Sequence, residues 1–194
     1  MPFLSIWKQP TKTIHYLLEK RSLKLTLLIW LLLAISDAPN TALNYQEMFG
    51  MDPGKALLLM YIISIPFILI AWPISTGLFY LFGRMLGGSA RYKDVLWIIP
   101  AASIPLIWLA PVNYFMYVFM NGQQVSFIVP WLAILITAGA WVYSIIVVSK
   151  GIGIVHRFSA LRGFGVTVIA AGVIFTFLMI LSFLAAIFIL PTMQ

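Results

Sequence analysis

The chain has 194 residues, 62% hydrophobic and 9% charged, with a mean hydropathy of +1.03 and a net charge of +7. Soluble domains carry about 25% charged residues, so this chain cannot clothe a water-facing surface, and a bilayer is its natural solvent. It has no cysteine, which excludes disulfides, iron–sulfur clusters and thiolate metal sites. The basic charges sit in short clusters between apolar runs, a pattern of membrane topology that argues against nucleic acid as a partner.

Residues 1–22 form a cytoplasmic N-terminal segment. Pro10 is placed to start a helix, and Ile14, Leu17, Leu18 and Arg21 follow helical spacing. Two readings stand side by side: an amphipathic helix lying at the membrane interface with Trp7 as anchor, or the first turns of the next helix. A first span over about 23–38 ends at Asp37, Pro39 and Asn40, with Lys24 snorkelling. Ala34-Ile35-Ser36 resembles a signal-peptide cleavage site, but the charged region before it is too long for one. Residues 37–55 read as a polar loop.

The second span covers about 56–82 with Pro66 and Pro73 inside it, and ends in the turn Gly87-Gly88. The third covers about 95–120 and holds Pro100, Pro105 and Pro111, each of which removes a helical hydrogen bond. An uncharged turn, Asn121 to Gln124, leads to a fourth span over about 127–148. A basic loop from Lys150 to Arg162 leads to a fifth over about 163–190. The predicted fold is therefore all-α and integral to the membrane: residues 23–194 form one bundle of five transmembrane helices.

Eleven of the twelve Lys and Arg residues fall on one side of this five-span arrangement, and Lys55 alone on the other. Positive residues stay in the cytoplasm, so the N-terminus is predicted inside and the C-terminus outside. The two inner turns also resemble each other. Ser89-Ala90 enters the third span and Ser159-Ala160 the fifth, each serine placed to cap a helix. Two copies of one hairpin unit, or a chance match of two short residues, both account for this.

The spans from the second onward carry no residue ionisable in the physiological range, which argues against proton relays and intramembrane hydrolysis. His15 and His156 are the only histidines, neither has a second ligand at helical spacing, and His156 reads as a solvated or headgroup-level side chain. No catalytic, metal or cofactor-binding residue is assigned, and the chain reads as no enzyme. The glycine and alanine clusters around Gly83, Gly139 and Gly172 read as helix-packing surfaces or a dimer face. The cluster Arg84, Arg91, Lys93 and Asp94 fixes topology and is placed to meet anionic headgroups or a partner, with a local Arg91–Asp94 ion pair available.

This arrangement resembles the Yip family, the Ypt/Rab-interacting membrane proteins, and its small bacterial members in particular. The features that carry the likeness are Trp7-Lys8-Gln9-Pro10 before five spans, the turn Arg84-Met85-Leu86-Gly87-Gly88 leading to Tyr92, and Pro100 and Pro105 in the third span. The loop His156 to Arg162 entering the last span completes it. Arg91 stands where the family's glycine precedes its tyrosine, and the acidic-Leu-aromatic-Gly-Pro motif of eukaryotic relatives is absent. The resemblance implies a helical membrane domain without enzymatic activity, in the inner membrane of a bacterium, whose eukaryotic relatives organise vesicle traffic.

The candidate functional loop is Arg84, Gly87, Gly88, Arg91, Tyr92, Asp94, Pro100, His156 and Arg162. Its expected partners are lipid headgroups, a second copy of the chain or another membrane protein. The alternative is a transporter of a lipid, metal ion or small solute, with a cavity in the proline-broken third span lined by Ser103, Asn113 and Tyr114.

Overall fold

The computed structural model describes residues 2–122 and 127–189, with the side chains of 185–189 left out. The described residues are helical with short connections: α1 (Pro2–Lys8), α2 (Pro10–Lys20), α3 (Leu23–Phe49), α4 (Pro53–Met85), α5 (Tyr92–Ile107), α6 (Ala110–Gly122), α7 (Ile128–His156) and α8 (Ala160–Ile189). Four of these, α3, α4, α7 and α8, are long and apolar enough to cross a membrane. The pair α5 and α6 makes a fifth crossing if its 50° bend is a break within one span. The last five residues, 190–194, and the second half of the predicted turn, Gln123 and Gln124, lie outside the described residues.

The N-terminal segment is not the beginning of α3. Arg21 adopts a left-handed conformation (φ 42°) that closes α2, and the Ser22 hydroxyl caps α3 by accepting from Leu25 N–H. The apolar stripe of α1 and α2 turns inward: Ile6, Ile14 and Leu17 join Ile29, Ile98, Ile104 and Val147 in one core cluster. Trp7 stacks on Tyr143 with ring centroids 4.7 Å apart. The two short helices are thus packed on protein along the face that an interfacial helix would turn to lipid.

The first span is longer than its apolar run. The predicted polar loop at 37–55 is helical as far as Phe49, and Pro39 lies buried inside α3. A proline leaves the carbonyl four residues earlier without its donor. In lipid that carbonyl needs another. For Pro39 the orphan is Ile35, and the Tyr114 hydroxyl donates to it at 3.2 Å. The same device recurs twice. Pro100 orphans Leu96, which receives the Trp72 indole N–H at 2.9 Å. Pro10 orphans Ile6, which receives the Tyr143 hydroxyl at 2.7 Å. Three prolines are thus accommodated by three aromatic donors from other helices, and each bond ties two elements together. Interhelical bonds of this kind in membranes contribute roughly 0.6 to 2 kcal/mol each.

The third span breaks at Trp108–Leu109, after Pro105 and before Pro111. Pro100 and Pro105 themselves lie within the continuous α5. Ser36 donates to the Leu106 carbonyl at 3.2 Å, and the Asn113 amide donates to the Ser36 carbonyl at 2.9 Å, so α3 fastens both halves of the break. Elsewhere close approach is bought with small residues. A Cβ at Gly163 would strike the Ser149 carbonyl of α7, and one at Gly151 would strike Ile98 of α5. Gly139 and Gly172 have no neighbour that a Cβ would meet, so these two predicted packing glycines pack against nothing within the described chain. Large apolar residues such as Phe67, Phe175 and Phe183 stand more than 60% exposed, as expected of surfaces solvated by acyl chains.

Candidate functional site

At one end of the bundle the α4–α5 turn meets the α7–α8 turn. The α4 helix closes with Gly87 in a left-handed conformation (φ 84°) and a bond from Gly88 N–H to the Gly83 carbonyl at 2.9 Å. This is the double-bonded glycine terminus that ends many helices. Gly83 and Gly88 face the His156 ring so closely that a Cβ on either would overlap it. His156 is 1% exposed, stacks on Phe158 at 5.3 Å, and accepts Ser89 N–H on its carbonyl at 3.2 Å. Both of its ring nitrogens are buried without a hydrogen-bond partner. The predicted solvated histidine is thus a wedge between two loops. It fits there because both glycines lack a side chain.

Two other expectations for this loop are corrected. Asp94 pairs with Arg21 at 2.6 Å rather than with Arg91, because Arg91 is the cap residue of α5 and points to solvent, while Arg21 is brought over by the turn after α2. Asp94 in the first turn of α5 also faces the positive end of that helix. Ser89 does not cap α5. Its backbone N–H bonds the His156 carbonyl, and the helix starts at Tyr92 with Arg91, not Ser89, at the cap position and no side-chain cap. Ser159 does fill the predicted role, accepting Arg162 N–H at 3.4 Å.

Tyr92 stands at the start of α5, with its hydroxyl donating to the Pro73 carbonyl at 2.9 Å and its ring edge-on to Tyr80 at 6.1 Å. It fixes α5 against α4. Pro100 is buried one helical stretch further in. Arg84 and Arg162 are exposed near the two turns. The structure therefore brings Arg84, Gly88, Arg91, Asp94, His156 and Arg162 to one end, with Gly87 shaping the turn and Tyr92 bracing it.

A second feature lies between α3, α4 and the α5–α6 break. It is a partly open cavity of about 440 Å³, lined mainly by apolar side chains. Of the three predicted cavity residues, Asn113 lines it. Ser103 is buried in α5, and Tyr114 is turned to Ile35 and Tyr61, so neither is among the lining residues. The cavity includes Asp37, which the sequence had suggested lay in a loop. The missed residues share a readable signal. Tyrosine and tryptophan in a span must spend their polar hydrogen somewhere, and prolines in other spans leave carbonyls to receive it.

The model of the Yip1 domain family matches residues 4–188. The chain belongs to the Yip1 family. It is an integral membrane protein with several apolar helices, and the Yip1 domain takes in both turns, the His156 wedge and the cavity. No curated protein and no solved structure matches it.

Proposed function

We propose that this Yip1 domain protein is a non-enzymatic five-span organiser of lipids or membrane partners in a bacterial inner membrane, with its N-terminus in the cytoplasm and its C-terminus outside. The observation that carries the reading is the convergence of the basic segments. The α2–α3 junction touches the start of α5 through Arg21 and Asp94, and the α4–α5 turn touches the α7–α8 turn through Ser89 and His156. The basic residues flanking these junctions therefore belong to one end of the bundle, and Lys55 starts α4 at the other. Basic residues near an anionic surface contribute about 1 kcal/mol each, enough to hold headgroups or an acidic partner. The same end offers poor acid–base chemistry: Asp94 is tied to Arg21, and no carboxylate faces His156 among the described residues.

A reporter active only in the cytoplasm, fused after Gln194, is expected to be silent, and one active only outside is expected to work. The reverse pattern would overturn the orientation. Crosslinking in native membranes is expected to recover a homo-oligomer, a membrane partner or bound lipid. A protein that stays monomeric and indifferent to lipid would sink the organising role. A second reading, transport along the broken span, draws on the cavity beside Trp108–Leu109. Flux of a lipid or small solute in proteoliposomes no greater than in empty vesicles would remove it.

A further inference from the structure

The cavity between α3 and α4 has one carboxylate in a mainly apolar wall that also holds Ser64 and Asn113. Its lining includes Leu33, Asp37 and Thr41 from α3, and Ile63, Phe67 and Ile68 from α4, and no Lys, Arg or His is among the lining residues. The Thr41 hydroxyl donates to one Asp37 oxygen at 3.0 Å. Asp37 has no cationic partner among the described residues, whose one ion pair is Arg21–Asp94.

The height of Asp37 follows from the helix connection. α3 and α4 run antiparallel about the residues between Phe49 and Pro53, so Asp37 stands level with about Ile65. Counting from Phe82 at the basic end, that is about 25 Å along the bundle at 1.5 Å per residue. A hydrocarbon core is about 30 Å thick. Asp37 therefore lies near the headgroup boundary of the leaflet opposite the basic end. On α3 the lining reaches from Leu33, about 6 Å deeper than Asp37, to Tyr45, about 12 Å further out, at the same rise. Ile63 and Phe67 in the cavity lining are also exposed apolar residues, so the cavity reaches a face that acyl chains would solvate. Its size is in the range of a ligand pocket.

We propose that this cavity is a binding site for a phospholipid with an ammonium head, such as an ethanolamine lipid. One acyl chain lies against Leu33, Ile63, Phe67 and Ile68, and the ammonium meets the Asp37 carboxylate at the headgroup level. The lipid's phosphate stays outside, because nothing cationic lines the cavity to receive it. A glycerol-headed anionic lipid would set its negative charge beside the carboxylate without return. Asp37 is exposed and so open to a cation at that level, and the charge and the mainly apolar wall together specify one ligand class. The proposal deepens the organising role above by naming a lipid.

The test uses the full chain purified in a mild detergent, with ethanolamine and glycerol phospholipids of matched chains added in equal amounts and retained lipid counted by native mass spectrometry. A charge-assisted hydrogen bond is among the stronger kind, so retention is expected to favour the ethanolamine lipid by about tenfold or more. Asp37→Asn, which keeps the size and the Thr41 contact, is expected to bring the ratio to about one. Equal retention by the wild type, or an unchanged ratio in Asp37→Asn, overturns the proposal. A measurement on the wild type alone guards against a variant that misfolds. An ethanolamine lipid with a photoreactive acyl chain is expected to label α4 between Ile63 and Ile68, and labelling confined to α7 or α8 overturns it. Micelles have no sides, so the lipid preference fails or holds independently of the reporter result. A protein that recovers a partner yet shows no lipid preference leaves the organising role standing while this site falls.

Discussion

The α4–α5 and α7–α8 turns end their helices with the same backbone and then diverge. At one constant offset, Gly83 matches Gly153, Gly87 matches Arg157, Gly88 matches Phe158, and Ser89-Ala90 matches Ser159-Ala160. Gly87 and Arg157 are both left-handed, at φ 84° and 59°. Gly88 N–H reaches the Gly83 carbonyl at 2.9 Å, and Phe158 N–H reaches the Gly153 carbonyl at 3.0 Å. Such ends close roughly a third to a half of helices, so the likeness by itself does not show a duplicated unit. The difference is more informative. The second turn supplies a ring, His156, and the first supplies the space, at Gly83 and Gly88. Ser89 gives its N–H to the His156 carbonyl and lies two residues before Arg91, the cap position of α5, whereas Ser159 stands at the start of α8 and caps it. One turn is the socket of the other, and its helix is capped at Arg91 rather than at the serine.

The largest expected effect breaks that socket. In Gly88→Ala the new Cβ would overlap the His156 ring and come within 2.7 Å of the Gly83 carbonyl. In Gly83→Ala the nearest atoms all belong to the His156 ring. Overpacking of this kind costs about 1–3 kcal/mol, read as a lowered thermal midpoint in detergent. The matching change in the other turn, Gly153→Ala, meets the Phe158 carbonyl at 3.1 Å and Ala160 at 3.3 Å, and is expected to cost less. Equal costs in both turns would refute the socket. Adding His156→Ala should remove most of the Gly83→Ala penalty, since residues in contact couple by about 0.5–3 kcal/mol. A penalty that simply adds to that of His156→Ala would mean the ring is not what the glycine makes room for.

Sequence reading found what depends on local pattern and missed what depends on a distant partner. The apolar runs located every long helix, because a lipid-facing helix is apolar all round and its ends are marked by Lys, Arg and Gly. The α3 end went wrong because Asp37-Ala38-Pro39-Asn40 has the composition of a loop. The Tyr114 hydroxyl that lets the helix pass through Pro39 is remote in the chain. The three prolines of the third span were visible, yet the break fell at Trp108–Leu109, where α3 offers the Ser36 hydroxyl and carbonyl. His156 looked solvated because nothing beside it in sequence announces burial, and its socket lies in another loop. Asp94 found Arg21 rather than Arg91 for the same reason. Among the site residues, the glycine turn and the Ser159 cap were legible, and the pairings between turns were not.

A smaller effect separates the two left-handed residues. Gly87 has open space around it, so Gly87→Ala is opposed by φ alone and is expected to cost about 1 kcal/mol. Arg157 occupies the same conformation with a Cβ, so Arg157→Gly is expected to raise stability by up to about 1 kcal/mol. Opposite signs at matched positions, measured by the same thermal scan, would show that the shared backbone is a real constraint at both turns. A loss of stability in Arg157→Gly would mean that the side chain makes up for its strained backbone in some other way.

The smallest effect tests the two helix starts. Ser159→Ala removes the oxygen that accepts Arg162 N–H and is expected to cost about 0.5–1 kcal/mol, the usual loss of a cap. Ser89→Ala removes a hydroxyl that caps nothing, while the backbone N–H that bonds His156 remains, so its cost is expected to be near zero. Hydrogen exchange reads this better than a melting curve, because a lost cap frays the first turn before it lowers the midpoint. The amides of Leu161 to Gly163 should exchange faster in Ser159→Ala, and those of Tyr92 to Asp94 should keep their rates in Ser89→Ala. If Ser89→Ala frays α5 as much as Ser159→Ala frays α8, the hydroxyl is capping after all.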